Sequence, residues 1–147
     1  MIQIHEMTLL DLNQISSILT SQFDDFWNEN LLKNEIENQN SKCIIAKKNA
    51  EIVGFGCIWK AVDDIHITNI VVKKTYRQQG IGSLLLKELI EISNKENVTS
   101  ITLEVKASNL PAQNLYAKYG FEKLGRRKKY YNGTEDAIIM TKDLKCE

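Results

Sequence analysis

The amino-acid sequence predicts one mixed α/β domain spanning residues 1–147, and three observations carry that prediction. Apolar residues alternate with polar ones in short strand-like runs before residue 73 and again after residue 99. Between and around those runs they recur at helical spacing. The stretch Arg77-Gln78-Gln79-Gly80-Ile81-Gly82-Ser83 separates an apolar run, Ile67 to Val72, from a strongly periodic helix beginning near Ile81. Internal repeats, low-complexity tracts and linkers are absent, and 147 residues suffice to bury about two-thirds of the surface the unfolded chain exposes.

The elements follow in order. Ile2 and Ile4 alternate with Gln3 and His5, a short strand, and Thr8 caps an amphipathic helix carrying Leu9, Leu12, Ile15, Ile18 and Leu19. Phe23, Phe26 and Trp27 follow as core aromatics or the wall of a ligand groove, and Asn28 caps a second helix through Leu31, Leu32 and Ile36. Cys43 to Ala46, a polar turn, and Ile52 to Trp59 read as a hairpin, to which Ile65 to Val72 adds a third strand after the Asp63-Asp64 turn. The helix from Ile81 places Leu85, Leu89 and Ile92 on one face, flanked by Leu84, and ends between Asn94 and Asn97. In Ser100 to Lys106, Ile101, Leu103 and Val105 share one face while Thr102, Glu104 and Lys106 share the other. Asn109 caps a helix with Pro111 in its first turn and Ala112, Leu115, Tyr116 and Tyr119 on its inner face, ended by Gly120. Two closing strands, Phe121 to Lys128 and Ala137 to Lys142, are joined through Tyr130, Tyr131, Asn132 and Gly133.

Composition excludes several classes. Lys plus Arg and Asp plus Glu both total 19, so no excess of positive charge supports direct nucleic-acid binding. Cys43, Cys57 and Cys146 are odd in number and widely spaced, matching neither a disulfide framework nor a zinc motif, which leads us to expect a reducing, cytoplasmic setting and no metal. The polar N-terminus lacks the apolar core of a signal peptide, and no run reaches the length of a membrane span. Asp24, Asp25, Glu29, Glu35 and Glu37 cluster early, Asp63 and Asp64 lie further on, and Arg126, Arg127, Lys128 and Lys129 form a late basic run. Each cluster reads either as solvated surface or as a field that draws in a charged substrate.

The glycine turn carries the chemistry. Glycines let a ligand approach the backbone closely, and a helix starting there points unpaired amides and its positive dipole end at that ligand, which implies an anion such as a phosphate. A dinucleotide fingerprint needs a further glycine at position 85, which is Leu, and a Walker-type loop needs Lys after Gly82, where Ser83 stands. The stretch by itself is equally a plain strand-to-helix corner.

Taken together, the strand, Arg-x-x-Gly-x-Gly, long helix, strand, and Asn-capped helix ending Leu115-Tyr116-x-x-x-Gly120-Phe121 resemble the GCN5-related N-acetyltransferase (GNAT) family over essentially the whole chain. The resemblance implies a central mixed, mostly antiparallel sheet flanked by about four helices, and acetyl-coenzyme A as co-substrate. It implies that the turn amides of Gln78, Gln79, Gly80, Ile81, Gly82 and Ser83, with Arg77, hold the coenzyme's pyrophosphate. Ile70, Val71 and Val72 would pair with the pantetheine arm like an added strand, and Asn109 would contact the coenzyme besides capping its helix. More specific blocks, Leu103-Glu104-Val105-Lys106-Ala107-Ser108-Asn109 and Glu135-Asp136-Ala137-Ile138-Ile139-Met140, with Arg126-Arg127 and Tyr130-Tyr131, are similar to the subfamily that acetylates the N-terminal alanine amine of a small-subunit ribosomal protein. Three departures stand out: Gln78-Gln79 where arginines are common, Ile101-Thr102 without the usual tryptophan, and a short loop from Asn132 to Thr134.

By the same resemblance Glu104 is the general base, Tyr116 the general acid, and Arg127 and Tyr131 line the peptide groove. Without it, Glu104 reads as a surface residue on the polar face of a strand and Tyr116 as a core residue. An α-amine with a pKa of about 7.7 to 8.0 gives up its proton more easily than a lysine at about 10.4, by roughly 3 kcal/mol. A tyrosine of about 10 donating to a thiolate of about 8.5 is uphill by about 2 kcal/mol, so donating a hydrogen bond suffices. Amides near Val71 or Val72, if freed by splaying of the strand, would stabilise the oxyanion. Acetylation of another amine, or coenzyme binding without turnover, are the alternatives the residues leave open.

Overall fold

In the computed structural model, the alternating runs become a seven-stranded sheet in the order β1-β2-β3-β4-β5-β7-β6. The strands are β1 (Ile2–Glu6), β2 (Ser41–Lys48), β3 (Glu51–Ala61), β4 (Asp64–Val72), β5 (Ser100–Lys106), β6 (Glu122–Tyr131) and β7 (Glu135–Asp143). Among the described residues the four α-helices are α1 (Leu9–Ile15), α2 (Glu29–Glu37), α3 (Ile81–Asn94) and α4 (Leu110–Lys118). The structure describes residues 1–24, 26–131, 133 and 135–144, with the side chains of residues 129–131 outside that description. All neighbouring strands pair antiparallel except β4 and β5, which run parallel. Parallel neighbours need a crossover, and α3 supplies it. The expected mixed, mostly antiparallel sheet with four helices is the architecture found.

Because successive strand residues point to opposite faces, each face buries its own core. One core gathers Ile44, Ala46, Ile65, Ile67, Ile101, Leu103 and Val105 under α3, with Leu115 and Tyr116 of α4 packed against it. The other gathers Cys43, Ile45, Phe55, Cys57 and Val71 under Leu12 and Ile15 of α1, Phe23, and Leu32 of α2. Local chemistry sets the helix starts. Thr8 and Asp11 form a reciprocal capping box, and Asn28 and Asn109 accept from the amides of Leu31 and Ala112.

Three expectations need correction. The first helix stops at Ile15 instead of running through Leu19, which belongs to a separate π-helical turn, Leu19–Phe23. The serines there compete for backbone carbonyls, Ser16 Oγ donating to Asn13 and Ser21 Oγ to Ile18, a habit that breaks helices. On α3, Leu84 is exposed and Leu86 is buried in its place, so the buried stripe is Ile81, Leu85, Leu86, Leu89 and Ser93. The sequence had no second reference for the phase of that helix; the faces of β3 and β4 beneath it set the phase. Finally, Tyr130 and Tyr131 lie within β6, not in the loop that follows it.

Leu89 is fully buried and touches the sheet where a β-carbon added at Gly56 would lie 3.1 Å from its Cδ1. Leu89→Ala is therefore expected to destabilise the fold by about 2–5 kcal/mol, read as the shift of the urea midpoint at unchanged slope. A shift within the error of the measurement would contradict this packing.

Candidate functional site

The site begins where β4 and β5 part. Their pairing runs from Asp64↔Ser100 to Ile67↔Leu103 and ends there, although β4 continues to Val72 and β5 to Lys106. The parting coincides with a bulge. Against β3, Ile67 pairs with Ile58 and Asn69 with Cys57, leaving Thr68 as the extra residue. A bulged strand bends and twists more strongly, which turns β4 away from its parallel neighbour. Thr68 Oγ1 lies 3.1 Å from Glu35 Oε2 and 3.2 Å from the Cys57 carbonyl, sharing its single proton between them. Ser41 donates to the same Glu35 oxygen at 3.1 Å, so this member of the early acidic group ties α2 to the sheet. Beyond the bulge, Ile70, Val71 and Val72 carry no pairing to β5, an open edge suited to an extended ligand with amide groups.

The glycine turn lies just past the end of β4. Gln78 and Gly80 adopt left-handed φ angles of 65° and 84°, and Gly80 is the N-cap of α3 without any side-chain cap bond. The first α3 bond joins the Leu84 amide to the Gly80 carbonyl, so the amides of Ile81, Gly82 and Ser83 precede the helix ladder and face outward as a nest. No acidic residue stands in that first turn to repel an anion. A β-carbon at Gly80 would meet nothing within 4 Å, so the glycine is needed for its backbone angle and leaves open space over the amides. These residues fit a pyrophosphate. The turn is anchored from behind: Glu51 accepts from Lys73 Nζ at 2.6 Å and from Tyr76 Oη at 2.8 Å, bonds that hold its carboxyl below the usual carboxylate range. Gln79 is exposed in the same turn. Arg77, expected beside the pyrophosphate, donates from Nε to the Val72 carbonyl at 3.1 Å and from Nη2 to the Phe23 carbonyl at 3.0 Å.

On β5, Glu104 is the first residue beyond the last β4 pair, and it points to the face opposite Ile101, Leu103 and Val105. Its Oε2 lies 2.9 Å from Arg127 Nε, which reaches across β7 from β6; the Glu104 side chain is 18% exposed and that of Arg127 56%. Tyr116 packs from α4 against the core on the other face, edge-on to Phe121 at 5.9 Å. Although part of its surface is accessible, the ring is enclosed enough for burial to push its hydroxyl up to about 12. The two residues expected to act on the proton therefore lie on opposite faces of the sheet, Glu104 on β5 and Tyr116 on α4. Asn109 is occupied as the cap of α4, accepting from the Ala112 amide at 3.2 Å. The backbone of Tyr131 ends β6, and its side chain lies outside the described residues.

Sequence reasoning missed several positions. Asn69, only 7% exposed in the β4 run, has neither amide atom bonded, and the Cys57 thiol beside it is raised well above its ordinary value, chiefly by burial. The signal was a lone asparagine in Ile67 to Val72. Gln113 of α4, also buried, donates to the carbonyls of Lys106 and Ala107 at 3.1 and 3.0 Å and seats the helix on the end of β5. Hydrogen bonds from Ser108, first its side chain and then its amide at 2.8 Å, hold the Glu135 carboxyl below the usual range and tie the β5–α4 turn to β7. The exposed ring of Phe26, 56% accessible, leans edge-on against Trp27 just before α2, whereas Phe23 is core. Among the described residues, no group of three or more His, Cys, Asp or Glu side chains is assembled to hold a metal, and no helix is long and apolar enough to cross a membrane.

Comparison with known proteins adds a second line. Residues 12–121 match the acetyltransferase (GNAT) family. A Bacillus subtilis protein, provisionally assigned as a ribosomal protein bS18-alanine N-acetyltransferase, is 36% identical over 140 residues, covering 93% of this chain and 92% of its own. The crystal structure of the ribosomal-protein-S18-alanine N-acetyltransferase from Escherichia coli superimposes with a TM-score of 0.89 at 30% identity, covering 100% of this chain and 96% of its own. A GNAT family acetyltransferase from Elizabethkingia anophelis with acetyl-CoA bound superimposes with a TM-score of 0.75 at 25% identity, covering 97% of this chain and 98% of its own.

The nest makes a direct demand on Gly80. A β-branched side chain at its φ of 84° is strained by about 1–2 kcal/mol. Gly80→Val is expected to lower the melting temperature and to weaken coenzyme A binding in calorimetry. Unchanged affinity in a folded variant would remove the turn from the binding site.

Proposed function

The chain belongs to the acetyltransferase (GNAT) family and is an acetyl-CoA-dependent acyltransferase, and from that premise we propose that it acetylates the N-terminal α-amine, an alanine, of a small-subunit ribosomal protein in the cytoplasm. The observation that carries this reading is the position of Glu104, one residue past the last β4–β5 pair and facing away from the α4 side where Tyr116 sits. Similarity to relatives named for alanine acetylation supports the acceptor.

In this reading the pyrophosphate rests on the amides of Gln78 to Ser83, and the pantetheine arm follows the open edge at Ile70, Val71 and Val72. Its thioester reaches the fork from the α3–α4 side, and the acceptor amine enters from the other. Glu104 takes a proton from the acceptor ammonium, directly or through water, and the freed lone pair attacks the thioester carbonyl carbon. The carbon–sulfur bond then breaks and coenzyme A leaves as the thiolate. With Tyr116 at about 12, full proton transfer to a thiolate of about 8.5 is uphill by about 5 kcal/mol. Tyr116 therefore donates a hydrogen bond to the leaving sulfur; the first amine proton returns to solvent through Glu104, the attacking nitrogen loses its second proton to solvent as the amide forms, and the thiolate takes one proton from solvent, so each turnover releases one proton. Arg127, half exposed, holds the Glu104 carboxylate at the groove mouth, and Tyr131 follows on the same strand.

The test is transfer from acetyl-CoA to a peptide copying the start of the ribosomal protein, followed by free thiol release and fragment mass. One acetyl group on the α-amine is expected; acetylation confined to a lysine or a polyamine overturns the acceptor. Glu104→Gln is expected to lower kcat by about 10²–10⁴-fold with coenzyme affinity kept. Tyr116→Phe is expected to cost about tenfold or more, the loss of a hydrogen bond to a charged sulfur. Because the Tyr116 phenol stays protonated well past its ordinary pKa of about 10, wild-type kcat shows no Tyr116-dependent decline between about pH 8 and 10. A decline there that Tyr116→Phe abolishes would contradict the raised value.

A further inference from the structure

Two donors of Arg77 go to main-chain carbonyls on separate segments: Nε to Val72, the last residue of β4 and only five positions away, and Nη2 to Phe23, 54 positions away. Both carbonyls are ones the local backbone leaves available. Val72 ends a strand whose β5-facing edge is unpaired, and Phe23 closes the π-helical turn, where the final carbonyls have no helical partner and attract a cation. Phe23 itself cannot move freely, since its ring is fully buried and packs on Phe55 at 5.7 Å.

The chain leaves Phe23 along the acceptor side. Asp24 is extended, with φ −157° and ψ 131°, and its Oδ1 accepts from the Phe26 amide at 2.8 Å, forming the bend that carries Phe26, Trp27 and the Asn28 cap of α2. α1 and α2 cover the sheet face opposite the α3 core, the same face to which Glu104 points. The Phe23 carbonyl is held at the end of β4, so this bend stands at the open end of the fork, beside the route of the acceptor amine. Arg77 is directly followed by Gln78, whose left-handed φ of 65° begins the anion nest.

We propose that Arg77 is a positioning residue that couples the two substrates: its guanidinium holds Phe23, and with it Asp24 and the segment Phe26 to Asn28, in acceptor-binding position, and occupation of the neighbouring nest by the coenzyme pyrophosphate steadies the backbone from which that guanidinium reaches. The proposal rests on the acetyl-transfer reading of the nest. It makes Arg77 a determinant of acceptor affinity more than of coenzyme affinity. The chemistry is specific to a forked donor, because one ammonium cannot span two carbonyls on separate segments in the way a guanidinium does.

Arg77→Ala and Arg77→Lys test this, with thermal melting to establish that both fold. Coenzyme A affinity is measured by calorimetry and the acceptor KM at saturating acetyl-CoA. Arg77→Ala is expected to raise the acceptor KM by about tenfold, as for loss of a charged hydrogen bond, while the coenzyme Kd stays within about twofold; Arg77→Lys restores part of the KM. Hydrogen exchange supplies a readout that needs no acceptor. Coenzyme A should slow exchange of the Leu19–Phe23 turn and of Phe26 to Asn28 in the wild type, and fail to do so in Arg77→Ala. If the ribosomal peptide proves not to be an acceptor, the proposed function falls while the exchange measurement still decides the role of Arg77. A weakened coenzyme Kd with unchanged acceptor KM, or a wild-type exchange response in Arg77→Ala, overturns the proposal in favour of a phosphate contact.

Discussion

The extra residue in β4 is the constraint on which the rest depends. Thr68 has no counterpart on β3, and the parallel pairing with β5 ends at the residue before it. A sheet that continued its ladder through Val72 and Lys106 would close the gap between the two strands and leave no edge for an extended ligand. By bending β4 at Thr68 the fold gives up backbone pairs there, and two packed faces compensate. The α3 core and the α1–α2 core each bury a continuous set of Ile, Leu, Val and Phe side chains against the same strands, so the centre of the sheet stays rigid while its open end does not close.

Short polar tethers then define the shape of the opening. Glu35 receives Thr68 and Ser41, Glu51 receives Lys73 and Tyr76, Glu135 receives the Ser108 amide, and Gln113 donates to two carbonyls at the end of β5. Each joins elements that the strand ladder leaves free to drift. The one ion pair among them, Lys73 with Glu51, is partly exposed and adds little to global stability, and the value of the set here is geometric. They place the glycine turn, the end of β5 and the start of α4 around one gap.

The sheet also keeps the Glu104 carboxylate and the Tyr116 phenol on opposite faces. Glu104 lies on a half-open face beside Arg127, and Tyr116 lies among the apolar side chains of the opposite face. The burial that seats α4 on the sheet is the same burial that raises the tyrosine to about 12, so packing and chemistry are set by one contact surface. A tyrosine so weakly acidic keeps its proton, which suits the hydrogen-bond donation proposed for it.

Much of this was legible in the residues. Period-two and period-3.6 patterns located all of the strands and the start of each helix, because those patterns report hydrogen bonds made within a few positions or side chains alternating about one strand. Thr8, Asn28 and Asn109 announced their caps, and Gly80 and Gly82 announced a turn whose use became clear only with the blocks around Glu104 and Ala137. The sequence by itself therefore determined the elements, the family resemblance and the residues to watch. Only the tertiary structure decided that β4 is bulged at Thr68, that the first helix stops at Ile15, that Leu86 and not Leu84 faces the sheet, that Tyr116 and Glu104 lie on opposite faces of it, and that Arg77 grips Val72 and Phe23. The physical reason is mostly range: the bulge, the phase of α3, the two faces and the bond from Arg77 to Phe23 depend on partners far along the chain, and a local pattern that satisfies its own backbone bonds carries no record of which distant carbonyl or apolar face will meet it, while the end of the first helix turns on local serine bonds that leave no mark in the apolar period.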